Sequence, residues 1–245
     1  MNLESPDRNS GGFLKAPPDP LRYDGHTSDP TEAAGKIAGL TPRDKRVLDI
    51  GCGTGSLSRL LVDLQGAKLV GIEPDLSRAT IARNRGIDAR HGYFDEASVQ
   101  GLGKFDVVVF ADVLEHLPDP AAALRLTRQV LDPGGIVIAS VPNIAHWSVR
   151  LELFCGRFDY QSCGIMDATH LRWFTEKTLR DLFESSGYGV ETIQQTAGVG
   201  GSVYYEYFFW RWFRPRRYRP PLIRWLAKSF PRLFGYQHVI RAVVK

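Results

Sequence analysis

The chain lacks any long uninterrupted apolar stretch. No run approaches the ~18 to 20 residues of a membrane-spanning helix, and the first residues, MNLESPDRNSGG, contain no apolar segment of the signal-peptide kind. Cysteine is scarce as well: Cys52, Cys155 and Cys163 form no C-x-x-C pair, and their odd number argues against a disulfide framework. These absences predict a cytoplasmic protein with reduced thiols.

Acidic residues are missing from the C-terminal part of the chain. Residues 207–245 contain ten Lys or Arg and no Asp or Glu, so the net charge of +4 arises there and the rest of the chain is acidic. Trp, Phe and Tyr accompany the basic residues, and Leu222–Phe230 has apolar residues at helical spacing. We interpret about 199–236 as a basic aromatic insertion: a lid that touches an anionic membrane surface, or a packing lid with solvated arginines. A nucleic-acid partner is disfavoured, because the basic run is short and no nucleic-acid module accompanies it.

What the sequence does contain is a glycine-rich turn between a strand and a helix. In Val47–Ser58, VLDIGCGTGSLS, an apolar strand end precedes Gly51, Gly53 and Gly55, and leucines at helical spacing follow. Such a turn lets a flat polar ligand lie against the backbone. The next strand ends in Glu73, 22 residues beyond Gly51, where a carboxylate can accept hydrogen bonds from both ribose hydroxyls. A nucleoside-containing ligand is favoured over a βα turn that binds nothing.

The spacing of this loop points to one class of nucleoside ligand. It reads D-x-G-x-G-x-G from Asp49 to Gly55 instead of G-x-G-x-x-G, and no basic residue stands beside it to meet a pyrophosphate. The loop resembles motif I of the class I S-adenosylmethionine (SAM) dependent methyltransferases. D-V-L-E-H-L, P-N-I-A-H-W-S-V-R-L, G-R-F-D-Y and D-x-T-H-L-R-W-F-T are similar to bacterial type 11 and type 23 small-molecule methyltransferases. The resemblance covers about residues 30–198 and the last strand.

This resemblance implies an α/β fold: a Rossmann-like seven-stranded, mostly parallel sheet with helices on both faces and an antiparallel last strand. The run FDVVVF at 105–110 suits a strand buried on both faces, and further strands are expected at 136–141 and 237–244. Residues 1–28, rich in Pro, Gly, Ser and Asp, are predicted to be a flexible N-terminal arm. Residues 29–245 would form the methyltransferase domain, with a substrate-side loop at 142–173.

The resemblance also implies the cofactor and its contacts. SAM is the implied cofactor, and Glu73 is the residue expected at its ribose. Many family members carry an acidic adenine contact directly after a glycine at the end of the third strand, but here that position is Tyr93. Asp95 is one replacement, and packing of Tyr93 or Phe94 on the adenine ring is another. The remaining expected cofactor contacts are Asp49, Gly51, Cys52, Gly53, Gly55, Pro74 and Asp112.

Methyl transfer to a hydroxyl requires alignment of two partners and a base that removes a proton. The leaving thioether needs no acid, so the search is for one base at the carboxyl edge of the sheet. His170, just before a predicted helix, is the first candidate. His116 and His146 are the others, each with a structural role as its alternative, and His91 is interpreted as structural.

A metal-assisted site is the sharper alternative. Asp112, Glu115, His116 and His170 resemble the residues that hold a divalent cation in small-RNA 2′-O-methyltransferases and, in related form, in some quinone-biosynthesis O-methyltransferases. Such a mixed oxygen and imidazole set suits Mg²⁺, Mn²⁺ or Zn²⁺. Asp112 is shorter than that family's glutamate, and D-V-L-E-H-L is common without metal, so a metal is not favoured.

The sequence therefore predicts a SAM-dependent methyltransferase that acts on a hydroxyl of a sugar, lipid-linked or secondary-metabolite acceptor. A metal-assisted O-methyltransferase of the quinone-biosynthesis or RNA 2′-O type is one alternative. A non-catalytic SAM-binding or partner-binding protein is the other. The expected location is cytoplasmic, with peripheral contact at the inner membrane surface.

Overall fold

The computed structural model describes residues 21, 24–200, 204, 207 and 216–245. Most of the predicted arm, 1–20 with 22 and 23, lies outside the described residues. Much of the aromatic first half of the predicted insertion, 201–203, 205–206 and 208–215, lies outside them too.

A mixed sheet with the strand order β3-β2-β1-β4-β5-β7-β6 forms the centre of the fold. β7 runs antiparallel to β5 and β6, and the other neighbouring strands pair in parallel. This confirms the predicted Rossmann-like sheet of seven strands with an antiparallel last strand. The strands are β1 Arg46–Ile50, β2 Lys68–Glu73, β3 Asp88–His91, β4 Phe105–Ala111, β5 Leu131–Pro142, β6 Tyr188–Gln195 and β7 Gln237–Val244.

Helices cover both faces of this sheet. One core cluster includes Leu124 of α5 and Leu179 of α7, and a second includes Ile37 of α1 and Leu61 of α2. The described helices are α1 Ala33–Leu40, α2 Ser56–Gln65, α3 Leu76–Asn84, α4 Glu96–Val99, α5 Pro120–Thr127, α6 Trp147–Phe154, α7 Glu176–Ser185, α8 Arg219–Ser229 and α9 Pro231–Phe234.

Strand β4 shows why its sequence is apolar at every position. Successive side chains of a strand point to opposite faces. Val107 and Val109 therefore join the cluster under α1 and α2, while Val108 and Phe110 join the cluster under α5 and α7. Because all four are fully buried, the strand has no solvent-facing side.

Two predicted boundaries differ from the structure. β5 begins at Leu131, five residues before the expected start, because Leu131 pairs with Phe105 across an irregularity in the register. The segment 142–173, predicted as a loop, contains helix α6, whose first turn is capped by His146. Within the described residues, no helix is both long enough and apolar enough to span a membrane.

Candidate active site

The glycine loop after β1 leaves room for a ligand at one position. Gly51, Gly53 and Gly55 have φ of 70°, 56° and 76°, a region that favours glycine. A Cβ on Gly51 would lie 2.6 Å from Cγ2 of Val113, and one on Gly55 would lie 3.1 Å from Cβ of Ala82. A Cβ on Gly53 would meet nothing within 4 Å. Gly51 and Gly55 therefore serve internal packing, whereas Gly53 borders open space.

Glu73 ties this loop to the turn after β2. Its Oε2 accepts a hydrogen bond from Gly53 N at 2.8 Å, and its Oε1 accepts one from Asp75 N at 3.0 Å. Each carboxylate oxygen has two lone pairs, so both keep acceptor capacity for a further donor. The carboxylate is held between two backbone groups at the position expected for the ribose acid.

Asp49 lies beneath the loop and is 1% exposed. Its Oδ2 accepts from Ser58 Oγ at 2.6 Å, while Oδ1 is buried with no hydrogen-bond partner among the described residues. Burial raises the pKa of Asp49 to about 7. The hydrogen bond from Ser58 lowers this pKa, and the charge of Glu73 raises it further. The loop therefore rests on a carboxyl group whose burial disfavours its charged form.

The Cys52 side chain points away from the open space. It packs in a cluster with Ala82 and Ile87, and a Cβ on Gly71 would lie 2.5 Å from its Sγ. Burial raises the pKa of the Cys52 thiol. The thiol is a packing group, and Cys52 borders the loop through its backbone.

The residues expected on the adenine side differ in exposure. Pro74 is exposed, and its carbonyl oxygen lies 3.1 Å from Nε2 of His91. Tyr93 is 74% exposed, whereas Phe94 packs against the core under α5 and α7. Asp95 accepts from Ser98 N and caps α4, so its carboxylate has a local structural partner.

The described part of the N-terminal segment crosses the glycine loop. Asp24 forms an ion pair with Arg85 at 2.6 Å and accepts from Thr54 Oγ1 at 2.8 Å. The hydrogen-bonded Arg85 guanidinium holds the pKa of Asp24 well below its usual range. The backbone N–H of His26 donates to Ser56 Oγ at 3.0 Å. The sequence contains no signal for this contact, because Asp24 and Arg85 are 61 residues apart.

Asp112 stands at the carboxyl end of β4 in a strained conformation. Its φ is 53°, which costs a non-glycine residue about 1–2 kcal/mol. Ser140 Oγ donates to its Oδ1 at 2.9 Å, and Gln237 Nε2 lies 2.9 and 2.8 Å from its two carboxylate oxygens. Residues with strained backbones cluster at functional sites, which supports a functional role for Asp112. Gln237 contacts the Asp112 carboxylate, and the sequence did not reveal that Gln237 belongs to the site.

Glu115, His116 and His170 come together next to that edge. Each offers one ligand atom, and these three atoms lie within 4.8 Å of one another. Both carboxylate oxygens of Glu115 are buried without a hydrogen-bond partner among the described residues. Burial, and then the Asp112 charge, raise the pKa of Glu115. Asp112 of the predicted set of four lies outside this group.

Backbone contacts select the tautomer of both histidines. His116 Nδ1 lies 3.1 Å from Thr169 O, and His170 Nδ1 lies 3.1 Å from Ile165 O. A carbonyl oxygen only accepts, so Nδ1 carries the hydrogen and the neutral ring leaves Nε2 with a free lone pair. Burial, and then the neighbouring His116, lower the pKa of His170. Nε2 of His170 is therefore available as a base or as a metal ligand near neutral pH.

His146 lies elsewhere and has structural partners. It is fully buried, with Nδ1 2.8 Å from Ser148 Oγ and Nε2 3.2 Å from the Tyr204 hydroxyl. Burial lowers the pKa of His146 to about 3. Both ring nitrogens are engaged, so the geometry favours the capping and packing role over that of a base.

An exposed aromatic cluster lies on the loop that carries His170. The ring centroid of Phe158 lies 5.9 Å from that of Tyr160 and 5.8 Å from that of Trp173. Phe158 is 42% and Tyr160 56% exposed. Aromatic rings of this kind offer contact area to the apolar part of an acceptor.

Helix α8 is the longest described element of the basic insertion. Ile223 and Ala227 pack with Tyr204, while Trp225 is 56% exposed. Arg224 forms an ion pair with Asp29 at 2.8 Å. The helix is thus amphipathic, with its apolar stripe packed on the domain and one arginine paired to the segment before α1.

The fold and the glycine-loop site define a class I methyltransferase architecture, and sequence comparison agrees. A family model described as a methyltransferase domain matches residues 26–193. The chain belongs to this methyltransferase-domain family.

Curated relatives match part of the chain. The ubiquinone biosynthesis O-methyltransferase of Aromatoleum aromaticum is 38% identical over 105 residues, 40% of this chain and 44% of that protein. The protein of the same name from Xanthomonas axonopodis is 33% identical over 124 residues, 48% of this chain and 52% of its own length. The chain spans about half the length of the curated relatives it matches.

Solved structures share the fold. A SAM-dependent methyltransferase from Aquifex aeolicus superposes with a TM-score of 0.57 at 14% identity, over 93% of this chain and 99% of its own. One from Archaeoglobus fulgidus has a TM-score of 0.56 at 17% identity, over 86% of this chain and 94% of its own.

Proposed function

We propose that this protein transfers the methyl group of SAM to a hydroxyl of a small-molecule acceptor. Family membership, the open space at Gly53 and the anchored Glu73 carboxylate support SAM as the cofactor. The relatives named as O-methyltransferases support oxygen as the methylated atom. The single observation that carries the proposal is the glycine loop held to Glu73 through Gly53 N.

The residues of the loop fit SAM by shape and by hydrogen bonding. The absence of a Cβ at Gly53 lets the cofactor approach the backbone, and the free lone pairs of Glu73 accept from its ribose hydroxyls. When bound, SAM supplies an electrophilic methyl group on a sulfonium. Asp24 is paired with Arg85 and accepts a hydrogen bond from Thr54, so the N-terminal segment contacts this loop.

His170 is the proposed base. Bound SAM would supply the methyl carbon to the acceptor hydroxyl oxygen and, with its carbon–sulfur bond broken, would leave as a neutral thioether. The hydroxyl proton passes to Nε2 of His170, which the Nδ1 contact with Ile165 O keeps unprotonated. His116, with its ring centroid 4.9 Å away, is the neighbouring imidazole.

The proposed acceptor is a sugar, lipid-linked or secondary-metabolite hydroxyl compound with an apolar part. The exposed rings of Phe158 and Tyr160 support the apolar part, because they lie on the same loop as His170. The acceptor would thus contact Phe158 and Tyr160, while the methyl donor lies at the glycine loop.

Calorimetry with SAM and its demethylated product tests cofactor binding. We expect both to bind, and Glu73→Gln to weaken SAM by about tenfold or more, since a hydrogen bond to a charged group is lost. Glu96→Gln, an exposed carboxylate on α4, is the matched control. Absence of heat with both ligands would refute the proposal. Binding without methylation of any hydroxyl acceptor would favour the non-catalytic alternative.

A metal-assisted reaction is a second candidate, favoured by the group of Glu115, His116 and His170. The unpartnered Glu115 oxygens and the two Nε2 atoms fit a divalent cation such as Mg²⁺, Mn²⁺ or Zn²⁺. A cation there would lower the pKa of an acceptor hydroxyl. We expect metal analysis of purified protein to find about one equivalent in wild type and none in Glu115→Gln. Methylation that survives EDTA at full rate would exclude this route.

We also propose peripheral contact of α8 with an anionic membrane surface, with the protein in the cytoplasm. Trp225 and Phe230 are 56% and 53% exposed, and Lys228 lies on the same helix. Sedimentation with phosphatidylglycerol vesicles at low salt tests this. The double variant Trp225→Ala and Phe230→Ala should remain in the supernatant, whereas Leu76→Ala, an exposed leucine of α3, should sediment like wild type. Equal sedimentation of all three would contradict the proposal.

A further inference from the structure

A cavity that is separate from the glycine loop and from the group of Glu115, His116 and His170 opens at the N-terminus of α7. Its volume is about 370 Å³, which is within the range of small-molecule sites. It is bordered by the segments after β5 and before α7, by α9 and by the start of β7. Its wall contains Asn143, Ala145, Arg150, Thr175, Glu176, Lys177, Arg180, Arg232 and His238.

The cavity is strongly basic. Four cationic side chains line it, those of Arg150, Lys177, Arg180 and Arg232, against one carboxylate, that of Glu176. The four cations come from different elements, α6, α7 and α9. A solvated helix face would carry its charges on one element, so this convergence indicates a site for an anion.

Three of the four cations already pair with a carboxylate on the surface. Lys177 pairs with Asp181, Arg180 with Glu184 at 3.8 Å, and Arg232 with Glu176 at 3.7 Å. Exposed pairs of this kind are worth little and exchange readily. The guanidinium groups therefore remain able to bind an anion that enters the cavity.

His238 is the second and independent observation. It is the second residue of β7 and is completely buried, yet neither ring nitrogen has a hydrogen-bond partner among the described residues. Ile240 and Ala242, which share its face of the strand, belong to the core under α5 and α7. A buried imidazole normally bonds at both nitrogens, and His238 keeps an unpaired N–H next to the cavity that it lines.

We propose that this cavity binds the phosphate group of a phosphomonoester. A phosphate dianion presents several acceptor oxygens and suits arginine forks such as those of Arg150, Arg180 and Arg232. The N-terminus of α7 adds its partial positive charge. The volume exceeds that of a bare phosphate and leaves room for the organic group. No lining residue belongs to the glycine loop or to the group of Glu115, His116 and His170, whereas Asn143, Ala145 and Arg150 belong to the substrate-side segment 142–173.

One neighbouring surface distinguishes two sources of the phosphate. Phe230, Pro231 and Leu233 form an apolar depression that also borders Arg232. A phospholipid headgroup in the cavity would extend its acyl chains over this depression, whereas a sugar phosphate would leave it bare. The same phosphate site serves both, and the affinities separate them.

Calorimetry at constant ionic strength tests the site with the full chain. The probes are inorganic phosphate, glycerol 3-phosphate and dihexanoyl phosphatidic acid. We expect at least one to bind with one-to-one stoichiometry, and the double variant Arg180→Gln and Arg232→Gln to bind it about tenfold more weakly for each lost charged donor. The double variant Arg43→Gln and Lys68→Gln, which removes two exposed cations near the start of β1 and β2, should bind like wild type.

His238→Leu is the second variant, because leucine fills the space without an unpaired polar group. It should fold with an unchanged or raised Tm and bind the same probe more weakly. A lipid source is identified if phosphatidic acid binds more tightly than glycerol 3-phosphate and if this difference disappears in Leu233→Ser. Equal binding identifies a soluble phosphomonoester. Absence of binding with all three probes, or an equal loss in the Arg43 and Lys68 control, overturns the proposal.

Discussion

Alanine at each of two loop glycines separates the packing role of the loop from its ligand role. Gly51 and Gly53 have φ of 70° and 56°, so alanine at either carries the same left-handed backbone cost of about 1–2 kcal/mol. The two positions differ in what a Cβ would meet. At Gly51 it lies 2.6 Å from Cγ2 of Val113, and at Gly53 it meets nothing within 4 Å.

The stability difference follows from this contact. Forcing a methyl group into a packed site costs about 1–3 kcal/mol, which corresponds to about 2–12 °C in Tm for a domain of this size. We expect Gly51→Ala to melt below Gly53→Ala by that margin, measured by circular dichroism without ligand. An equal or higher Tm for Gly51→Ala would refute the steric argument.

The two variants should rank in the opposite order when SAM affinity is measured instead of Tm. The methyl group of Gly53→Ala enters the space that we assign to the cofactor, so the more stable variant should lose about tenfold to a hundredfold in SAM affinity. Calorimetry measures this loss directly. Wild-type affinity in Gly53→Ala would show that the open space beside the loop is not where the cofactor lies.

Three further predictions concern charged groups. The folded-state pKa values of the buried His146 and His238 are about 3 and about 4, below the unfolded value, so the contribution of each histidine to stability falls as pH drops below about 6.5, by about 2 kcal/mol at pH 5. The raised pKa values of Asp49 and Glu115 act in the opposite direction, so the test is a difference between two proteins. In urea unfolding, the stability of wild type relative to His238→Leu should fall by about 2 kcal/mol between pH 7.5 and 5, and an unchanged difference contradicts the assignment. His170 must be neutral to act as a base, so kcat/KM should fall on acidification. Because His116 lowers the pKa of His170, His116→Ala should shift the acidic fall of the kcat/KM profile to higher pH. A fall that stays at the same pH or shifts to lower pH contradicts the coupling between the two histidines. Asp24→Asn should lower the affinity for SAM and lower the free energy of unfolding by up to about 1 kcal/mol. An unchanged SAM affinity would show that the N-terminal segment does not contribute to the cofactor site.

The glycine loop and Glu73 were predictable because their signals are local. Left-handed turns need glycine, and an acidic residue at the end of the second parallel strand reaches the same edge as the first loop. The strand β4 was predictable for the same reason, since burial on both faces demands an unbroken apolar run. The pinning of Asp24 to Arg85 and the contact of Gln237 with Asp112 left no such local pattern, because the partners are 61 and 125 residues apart.

The sequence by itself located the glycine loop, the buried strands and the edge of the sheet where chemistry is expected, because periodicity and glycine placement act over a few neighbouring residues, and its resemblance to a methyltransferase family implied the class of fold and the cofactor. That resemblance also grouped Glu115, His116 and His170, and the tertiary structure decided that these three meet without Asp112 and without His146. His170 joins Glu115 and His116, while His146 goes to Tyr204, 58 residues away. It also placed His238 at a basic cavity built from α6, α7, α9 and β7. Such meetings depend on strand register and on the packing of side chains from distant segments, and these are fixed only when the chain is folded.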